Sequence, residues 1–222
     1  AFLLNLFLAR NLTYADYGIF ATLLSLFTLA SIPSNSINTI VIKFAASYYS
    51  KNELNKIAFF YKSSLKVIIL FSILILIIFT ILSPFFNEYL HLNNITYIFV
   101  VAITIVAFYL WSLNLAFLQS LMKFAFISFI NSFGGIIKLI AGIILIYMGF
   151  RAFAGLWSIF FMTLGSFLIA FIPLLKILKI NYKGKVEIPK KEILNYSIPA
   201  FLAVLFLTSF ISADVILVKH FF

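Results

Sequence analysis

The residues of this sequence that are best suited to chemistry are polar side chains inside long apolar segments. Lys138 lies in the apolar run from Ile127 to Phe150, with hydrophobic residues on both sides and no acid beside it. Ionisable groups at membrane depth are costly, and a functional role is their default interpretation. Lys138 therefore predicts a site for an anionic ligand. The alternatives are that it bonds to helix carbonyls or pairs with an acid outside this sequence.

Three glycines predict the direction in which Lys138 points. Gly135, Gly142 and Gly149 recur every seven residues and should form a smooth stripe that another helix can approach closely. Lys138 lies three residues after the first glycine and four before the second. It should therefore lie near the stripe and point into the protein.

A second group of polar residues follows Pro33. Asn35, Thr39 and Lys43 recur every four residues, which places them on one face of a helix. Lipid would penalise that face, so we expect it to line the bundle interior or a water-filled cavity, together with Asn38. The alternatives are that Asn and Thr bond to neighbouring helices and that Lys43 snorkels to the membrane surface.

Asp214 is the only acid late in the last segment. It is a candidate site for a coupling proton or sodium ion, a partner for Lys138, or the polar end of its helix. The nearby Lys219 and His220 favour the last of these.

No catalytic residue is predicted. No metal site is predicted either, because His91 and His220 are isolated and cysteine is absent. The sequence has no glycine-rich phosphate loop, and we expect no cofactor.

The elements that position these residues follow from composition. Apolar residues make up 64% of the chain and charged residues 10%, whereas soluble domains have about 45–50% and about 25%. About seven segments approach the roughly 20 residues that a membrane helix needs. We therefore predict an all-α polytopic membrane protein in contact with membrane lipids. The net charge of +10 comes mainly from lysines in the loops between segments. Their positions indicate the orientation of the chain in the membrane and not a site for nucleic acid.

The segments are separated by polar turns and by two loops rich in lysine. Pro33 should kink segment 2, and the tight turn at Gly149 should make segments 5 and 6 a helical hairpin. The predicted segments are, in order, the stub Ala1–Ala9, Ile19–Tyr49, a third ending near Pro84, Tyr97–Leu118, a fifth ending at Met148, a sixth ending near Leu175 and a seventh from Ile193. A polar turn, Arg10–Gly18, precedes segment 2. The basic loops are Ser50–Lys66, before segment 3, and 176–192, before segment 7.

The lysine distribution predicts the orientation of the chain. The loops after segments 2, 4 and 6 hold most of the lysines, whereas the loops after segments 1, 3 and 5 hold only Arg10 and Arg151. Cytoplasmic loops carry the excess of Lys and Arg. We therefore expect the even-numbered segments to end in the cytoplasm.

Short motifs along the whole chain resemble a known family. The stretch from Leu8 to Gly18 resembles the signature between the first two helices of polysaccharide-export flippases, with Thr13-Tyr14 where members often have Gly-Pro. The stretches 196–199 and 214–219, which open and close segment 7, are similar as well. These flippases belong to the multidrug/oligosaccharidyl-lipid/polysaccharide exporter superfamily.

The resemblance implies two six-helix bundles that flip a polyprenyl-pyrophosphate-linked oligosaccharide across the cytoplasmic membrane of a prokaryote, without enzymatic chemistry. Residues 1–192 would then be the first bundle, with its first helix truncated, and 193–222 the first helix of a second bundle. Such a substrate needs cations for its pyrophosphate and hydrogen-bonding groups for its sugars. Lys138 and Lys43 could supply the cations, and Asn35, Asn38 and Thr39 the polar groups.

Other functions stay open at the level of sequence. A cation-coupled multidrug exporter of the same superfamily should have acids deep in its helices, and segments 1 to 6 have none. A membrane-embedded polymerase or glycosyltransferase should have a sizeable outer loop with acids or Arg, and the predicted outer loops are short. A purely structural subunit does not account for the polar face of segment 2.

Overall fold

A computed structural model gives the fold of the chain. It describes the backbone of residues 2–92, 94–180 and 190–221, and the side chains of residues 3–92, 94–180 and 191–209. Within these ranges the chain forms nine α-helices and no strand: α1 (Phe2–Asn11), α2 (Tyr14–Ala30), α3 (Ile32–Ser50), α4 (Leu54–Ile81), α5 (Ser83–Tyr89), α6 (Thr96–Ser120), α7 (Phe124–Tyr147), α8 (Ala152–Leu178) and α9 (Lys190–Phe221).

Five of the described helices are long and apolar enough to cross a membrane: α4, α6, α7, α8 and the part of α9 over Lys191–Ser209. The pair α2 and α3 passes the same test together and forms a sixth candidate span, bent by 41° at its break. Helices suit this environment because each satisfies its own backbone hydrogen bonds where no water is present. The predicted all-α polytopic membrane protein is confirmed, but the described residues contain five or six candidate spans where about seven were predicted. The ten-residue α1 lies at the position of the first predicted segment and is too short to span a membrane.

The bend between α2 and α3 confirms the predicted kink. Pro33 lies in the first turn of α3, where its missing N–H costs least. The last carbonyls of α2 lose their partners at such a break. The Tyr109 hydroxyl of α6 donates to the Ala30 carbonyl at 2.7 Å, and the Ser31 hydroxyl donates to the Thr28 carbonyl at 2.7 Å. The kink is therefore held by a neighbouring helix as well as by proline.

Helix α6 is the central element, since it packs against α2, α3, α4 and α8. Besides Tyr109, it makes two further side-chain hydrogen bonds to its neighbours. The Asn38 amide of α3 donates to the Ser112 hydroxyl, and the Tyr61 hydroxyl of α4 donates to Asn114 Oδ1 at 2.8 Å. Polar residues therefore join α6 to three surrounding helices.

The predicted basic loop from Ser50 to Lys66 is wrong, because α4 already begins at Leu54 and only residues 51–53 form a turn. Ile57, Tyr61 and Ile68 lie on one face of this helix and are buried. Their spacing is that of an amphipathic helix. The lysines on the other side lower the average hydropathy and hide this pattern.

The polar turn predicted from Arg10 to Gly18 is also shorter than expected, because α1 continues to Asn11 and α2 starts at Tyr14. Thr13 caps α2: its hydroxyl donates to Asp16 Oδ2 at 2.8 Å and accepts from the Asp16 backbone N–H at 3.2 Å. This reciprocal pattern is typical of a helix N-terminus and allows the helix to begin early.

The predicted hairpin is confirmed, since residues 148–151 join α7 to α8 in a tight turn and the two helices pack along each other. Most of the predicted basic loop 176–192 lies outside the described residues. Helix α9 packs against α2 and α3. The division of the chain after residue 192, with a second bundle beyond it, stays a prediction.

The two ends of the bundle can be identified from contacts. The α1–α2 turn and the α7–α8 turn line one cavity, and we call this the predicted outer end. At the opposite end, the Lys62 ammonium near the start of α4 donates to the Ile180 carbonyl just after α8, at 3.3 Å. We call this the predicted cytoplasmic end. The pairing of turns agrees with the alternation that the loop charges predict.

Replacing Tyr109 by Phe should destabilise the bend between α2 and α3, because the partly buried Ala30 carbonyl loses its donor. Side-chain hydrogen bonds between membrane helices contribute about 0.6 kcal/mol on average, up to about 1.7. We expect a lower thermal unfolding midpoint for the purified Tyr109→Phe variant in detergent. The control is Tyr147→Phe, since Tyr147 is 78% exposed. Equal midpoints for the two variants would contradict this role of Tyr109.

Candidate functional site

The polar face of α3 lies where the sequence predicts it, on one side of a single helix. Asn35 is half-buried, and Thr39 and Lys43 are exposed. The Asn35 amide donates to the Ser31 hydroxyl at 3.4 Å, and the Thr39 hydroxyl donates to the Asn35 carbonyl at 3.2 Å. These local bonds satisfy part of the hydrogen-bonding capacity of the face. The Asn35 side-chain oxygen accepts no hydrogen bond within the described part of the chain.

Lys43 contacts α9. Its ammonium lies 3.6 Å from the centre of the Tyr196 ring and 5.7 Å from that of Phe44. The Phe44 and Tyr196 rings meet edge to face with their centres 6.3 Å apart. A cation over an aromatic face is attracted by the ring quadrupole. Lys43 therefore links α3 to α9 near the predicted cytoplasmic end.

Asn38 lies on another face of α3 from Asn35, Thr39 and Lys43. Its amide bonds to Ser112 of α6, and its side-chain oxygen is buried without a partner among the described residues. The buried Ser34 hydroxyl, one turn earlier, likewise has no partner there. Asn38 thus belongs to the contact between α3 and α6, and its predicted role in ligand binding stays a prediction.

Lys138 lies between two glycines that contact neighbouring helices. Gly134 and Gly142 are each four residues away from Lys138 and therefore share its helix face. A Cβ atom on Gly134 would collide with the Ser166 side chain of α8. One on Gly142 would collide with the Leu4 side chain of α1 and lie 3.5 Å from Ser158 Cβ in α8. The face that carries Lys138 thus meets α8.

The predicted stripe of Gly135, Gly142 and Gly149 is wrong in two of its three members. Gly135 is exposed and has open space where a side chain would project, and Gly149 lies in the turn after α7. The neighbouring Gly134 takes the place of Gly135 at the helix contact. Lys138 therefore lies between the packed Gly134 and Gly142, and not beside the predicted stripe.

The Lys138 side chain belongs to the interior of α7, away from both ends of the helix. Lys138 is half-buried and makes no hydrogen bond or ion pair with any residue that the structure describes. An uncompensated cation away from water is costly unless a ligand or another group pairs with it. Lys138 lies fourteen residues after the first residue of α7, which corresponds to a distance of about 21 Å along the helix axis.

The structure does not bring all the predicted site residues together. Helices α3 and α7, which carry Lys43 and Lys138, do not pack extensively against each other, whereas α6 contacts both. The two lysines therefore stand at separate places in the described fold. Asp214 lies in α9, in the part of the chain whose side chains fall outside the described residues.

Sequence reasoning missed several polar residues that the fold brings together. Ser112 and Asn114 interrupt an apolar helix, and that interruption was a usable signal for interhelical hydrogen bonds.

The cavity at the predicted outer end combines Asn11 and Asp16 with Arg151, which is distant in sequence. Its only sequence signal was that both turns were predicted on one side of the membrane.

Neighbouring glycines in α7 allow a matched test of the face that carries Lys138. Gly134→Leu should overpack the contact with Ser166 and Met162, at a cost of typically about 1–3 kcal/mol. Gly135→Leu should be tolerated because its side chain meets open space. The measurement is the unfolding midpoint of each purified variant in detergent. A Gly135→Leu protein that is the less stable of the two would contradict the assignment of this face.

Comparison with known protein families gives a match that covers almost the whole chain. The family described as polysaccharide biosynthesis protein matches residues 7–222. No curated protein and no solved structure matches the chain. The family match extends from α1 through α9 and so includes both the polar face of α3 and Lys138 in α7. The chain belongs to the polysaccharide biosynthesis protein family and is a multi-pass membrane protein.

Proposed function

We propose that this chain is part of a flippase that moves a polyprenyl-pyrophosphate-linked oligosaccharide across the cytoplasmic membrane of a prokaryote. Family membership supports a role in polysaccharide biosynthesis or transport. The single observation that carries the finer proposal is Lys138, a half-buried cation within a membrane helix that has no partner among the described residues. A diphosphate is the part of such a substrate that most needs a cation away from water.

The proposed division of labour follows the chemistry of the substrate. Lys138 binds the diphosphate, and the exposed face of α3 with Asn35 and Thr39 offers hydrogen bonds to sugar hydroxyls. Lys43 is a second cation for the diphosphate near the predicted cytoplasmic end. The polyprenyl chain remains in the bilayer against the exposed apolar surfaces of α4 and α7, so no large apolar cavity is required.

The proposed transport needs no bond to be made or broken, and we therefore assign no enzymatic role to the chain. Movement between two orientations of the bundle would carry the headgroup across, with a proton or sodium gradient as the driving force. We propose Asp214 as the group that responds to that cation. An ionisable group in a membrane helix is a reasonable place for such coupling.

Removing the charge of Lys138 tests the proposed diphosphate site. Lys138→Ala should lower surface polysaccharide by about tenfold or more, the loss expected for one hydrogen bond to a charged group. Lys138→Arg should retain part of the activity because the charge remains. The measurement is surface polysaccharide in cells whose only copy carries the variant, with immunoblots showing equal protein in the membrane. Lys123→Ala is the control, since Lys123 is exposed before α7. Normal polysaccharide from Lys138→Ala would overturn the assignment.

Lys43 should matter less than Lys138 because it is exposed and its ammonium already contacts the Tyr196 ring. We expect Lys43→Gln to lower surface polysaccharide by about threefold, less than Lys138→Gln, because exposed charges contribute about 0–1 kcal/mol. Both variants are measured in the same cells, with Lys51→Gln as the exposed control at the end of α3. A larger defect from Lys43→Gln than from Lys138→Gln would reverse the proposed order.

A further inference from the structure

Two adjoining cavities open at the predicted outer end, and neither belongs to the site described above. The first has a volume of about 350 Å³ and is lined by polar groups of Asn11, Thr13, Asp16 and Arg151. The second, also about 350 Å³, is lined by aromatic rings and shares Gly149 and Arg151 with the first. We call the two together the outer pocket. Their volumes lie in the range typical of small-ligand sites.

The aromatic half of the outer pocket is rigid and flat. Tyr97 at the start of α6 and Phe153 at the start of α8 stack with their ring centres 4.0 Å apart and their planes 18° apart. Phe150 completes this side and is exposed. Aromatic rings of this kind offer apolar faces on which the C–H surface of another ring can lie.

The polar half of the outer pocket contains two opposite charges that are not paired with each other. The Asp16 carboxylate accepts the Thr13 hydroxyl, which leaves further acceptor positions on its oxygens. The Arg151 side chain makes no hydrogen bond or ion pair with any residue in the described ranges. Its five N–H donors therefore bond to none of the groups that line the cavity and are available to a ligand.

The backbone of Arg151 is strained in the turn between α7 and α8. Its φ angle is 45°, in the left-handed region that costs most residues free energy and that glycine adopts without strain. Asn52, His91 and Met122 have similar φ angles in other turns between the described helices. What distinguishes Arg151 from them is the cavity that its side chain lines together with Asp16.

We propose that the outer pocket binds a carbohydrate. Sugar hydroxyls both donate and accept, so they match a carboxylate and a guanidinium that face one cavity. The C–H face of a sugar ring matches the rings of Phe150 and Phe153, and the buried Tyr97 ring supports Phe153 from behind. For a simple ion the attraction of one of these charges is offset by the repulsion of the other, whereas the hydroxyls of a polyhydroxylated ligand can bond to both. This inference rests on the proposed function, in which the saccharide headgroup arrives at this end of the bundle.

The test is saturation-transfer NMR on the full chain in nanodiscs with three trisaccharides: maltotriose, raffinose and chitotriose. We expect transfer to the protons of at least one of them. Asp16→Asn and Arg151→Gly should each weaken the signal by about tenfold, the loss expected for a hydrogen bond to a charged group. Arg151→Gly relieves the backbone strain, so it removes the guanidinium without endangering the fold. Glu88→Gln is the control, since Glu88 is exposed and lies outside the outer pocket.

Two results would overturn the proposal: no transfer to any of the three trisaccharides, or equal transfer in the wild type, Asp16→Asn and Arg151→Gly. The same measurement with Phe153→Leu separates the two halves of the pocket, because loss of the ring should weaken binding while both charges remain. Binding is measured here on the purified chain without transport. A chain that binds trisaccharides but whose Lys138→Ala variant exports polysaccharide normally would contradict the diphosphate site alone.

Discussion

The structure depends on one constraint: polar groups within the membrane must find partners inside the protein. Helix α6 meets this constraint for its neighbours. Tyr109 provides a donor for the carbonyl that the break before α3 leaves unpaired, and Ser112 and Asn114 bond to side chains of α3 and α4. The bend in α2 and α3 can persist because α6 lies against it. The direction of the exposed polar face of α3 follows from that bend.

The fold class and the main breaks could be predicted from the sequence, because length and hydropathy determine which helices can span a bilayer. The kink at Pro33 and the α7–α8 hairpin followed from local chemistry. The helix over residues 54–66 could not be recognised from average hydropathy, since its lysines offset the buried Ile57 and Tyr61. Only the helical spacing of those buried residues indicated this helix. An average of hydropathy over the segment hides that spacing, because the lysines lower the average.

The candidate site was less accessible from the sequence than the fold. Spacing indicates which residues share a face, as it did for Asn35, Thr39 and Lys43, but not which neighbour that face meets. Gly134 and Gly135 are adjacent in the chain, yet one contacts α8 and the other faces open space. The partner of Lys43 on α9 depends on tertiary packing between helices far apart in sequence. The family match covers both regions.

The short turn between α7 and α8 has a consequence for how the chain enters the membrane. Residues 148–151 contain a single charged group, Arg151. With the turn on the outer face, as the loop charges predict, that guanidinium has to cross the hydrocarbon completely during biogenesis, whereas the Lys138 ammonium of α7 enters the hydrocarbon and remains there. Two apolar helices that are already packed on each other can offset that transfer. The hairpin can therefore insert as one unit, with α8 packing along α6, the helix on which the bent pair α2 and α3 rests.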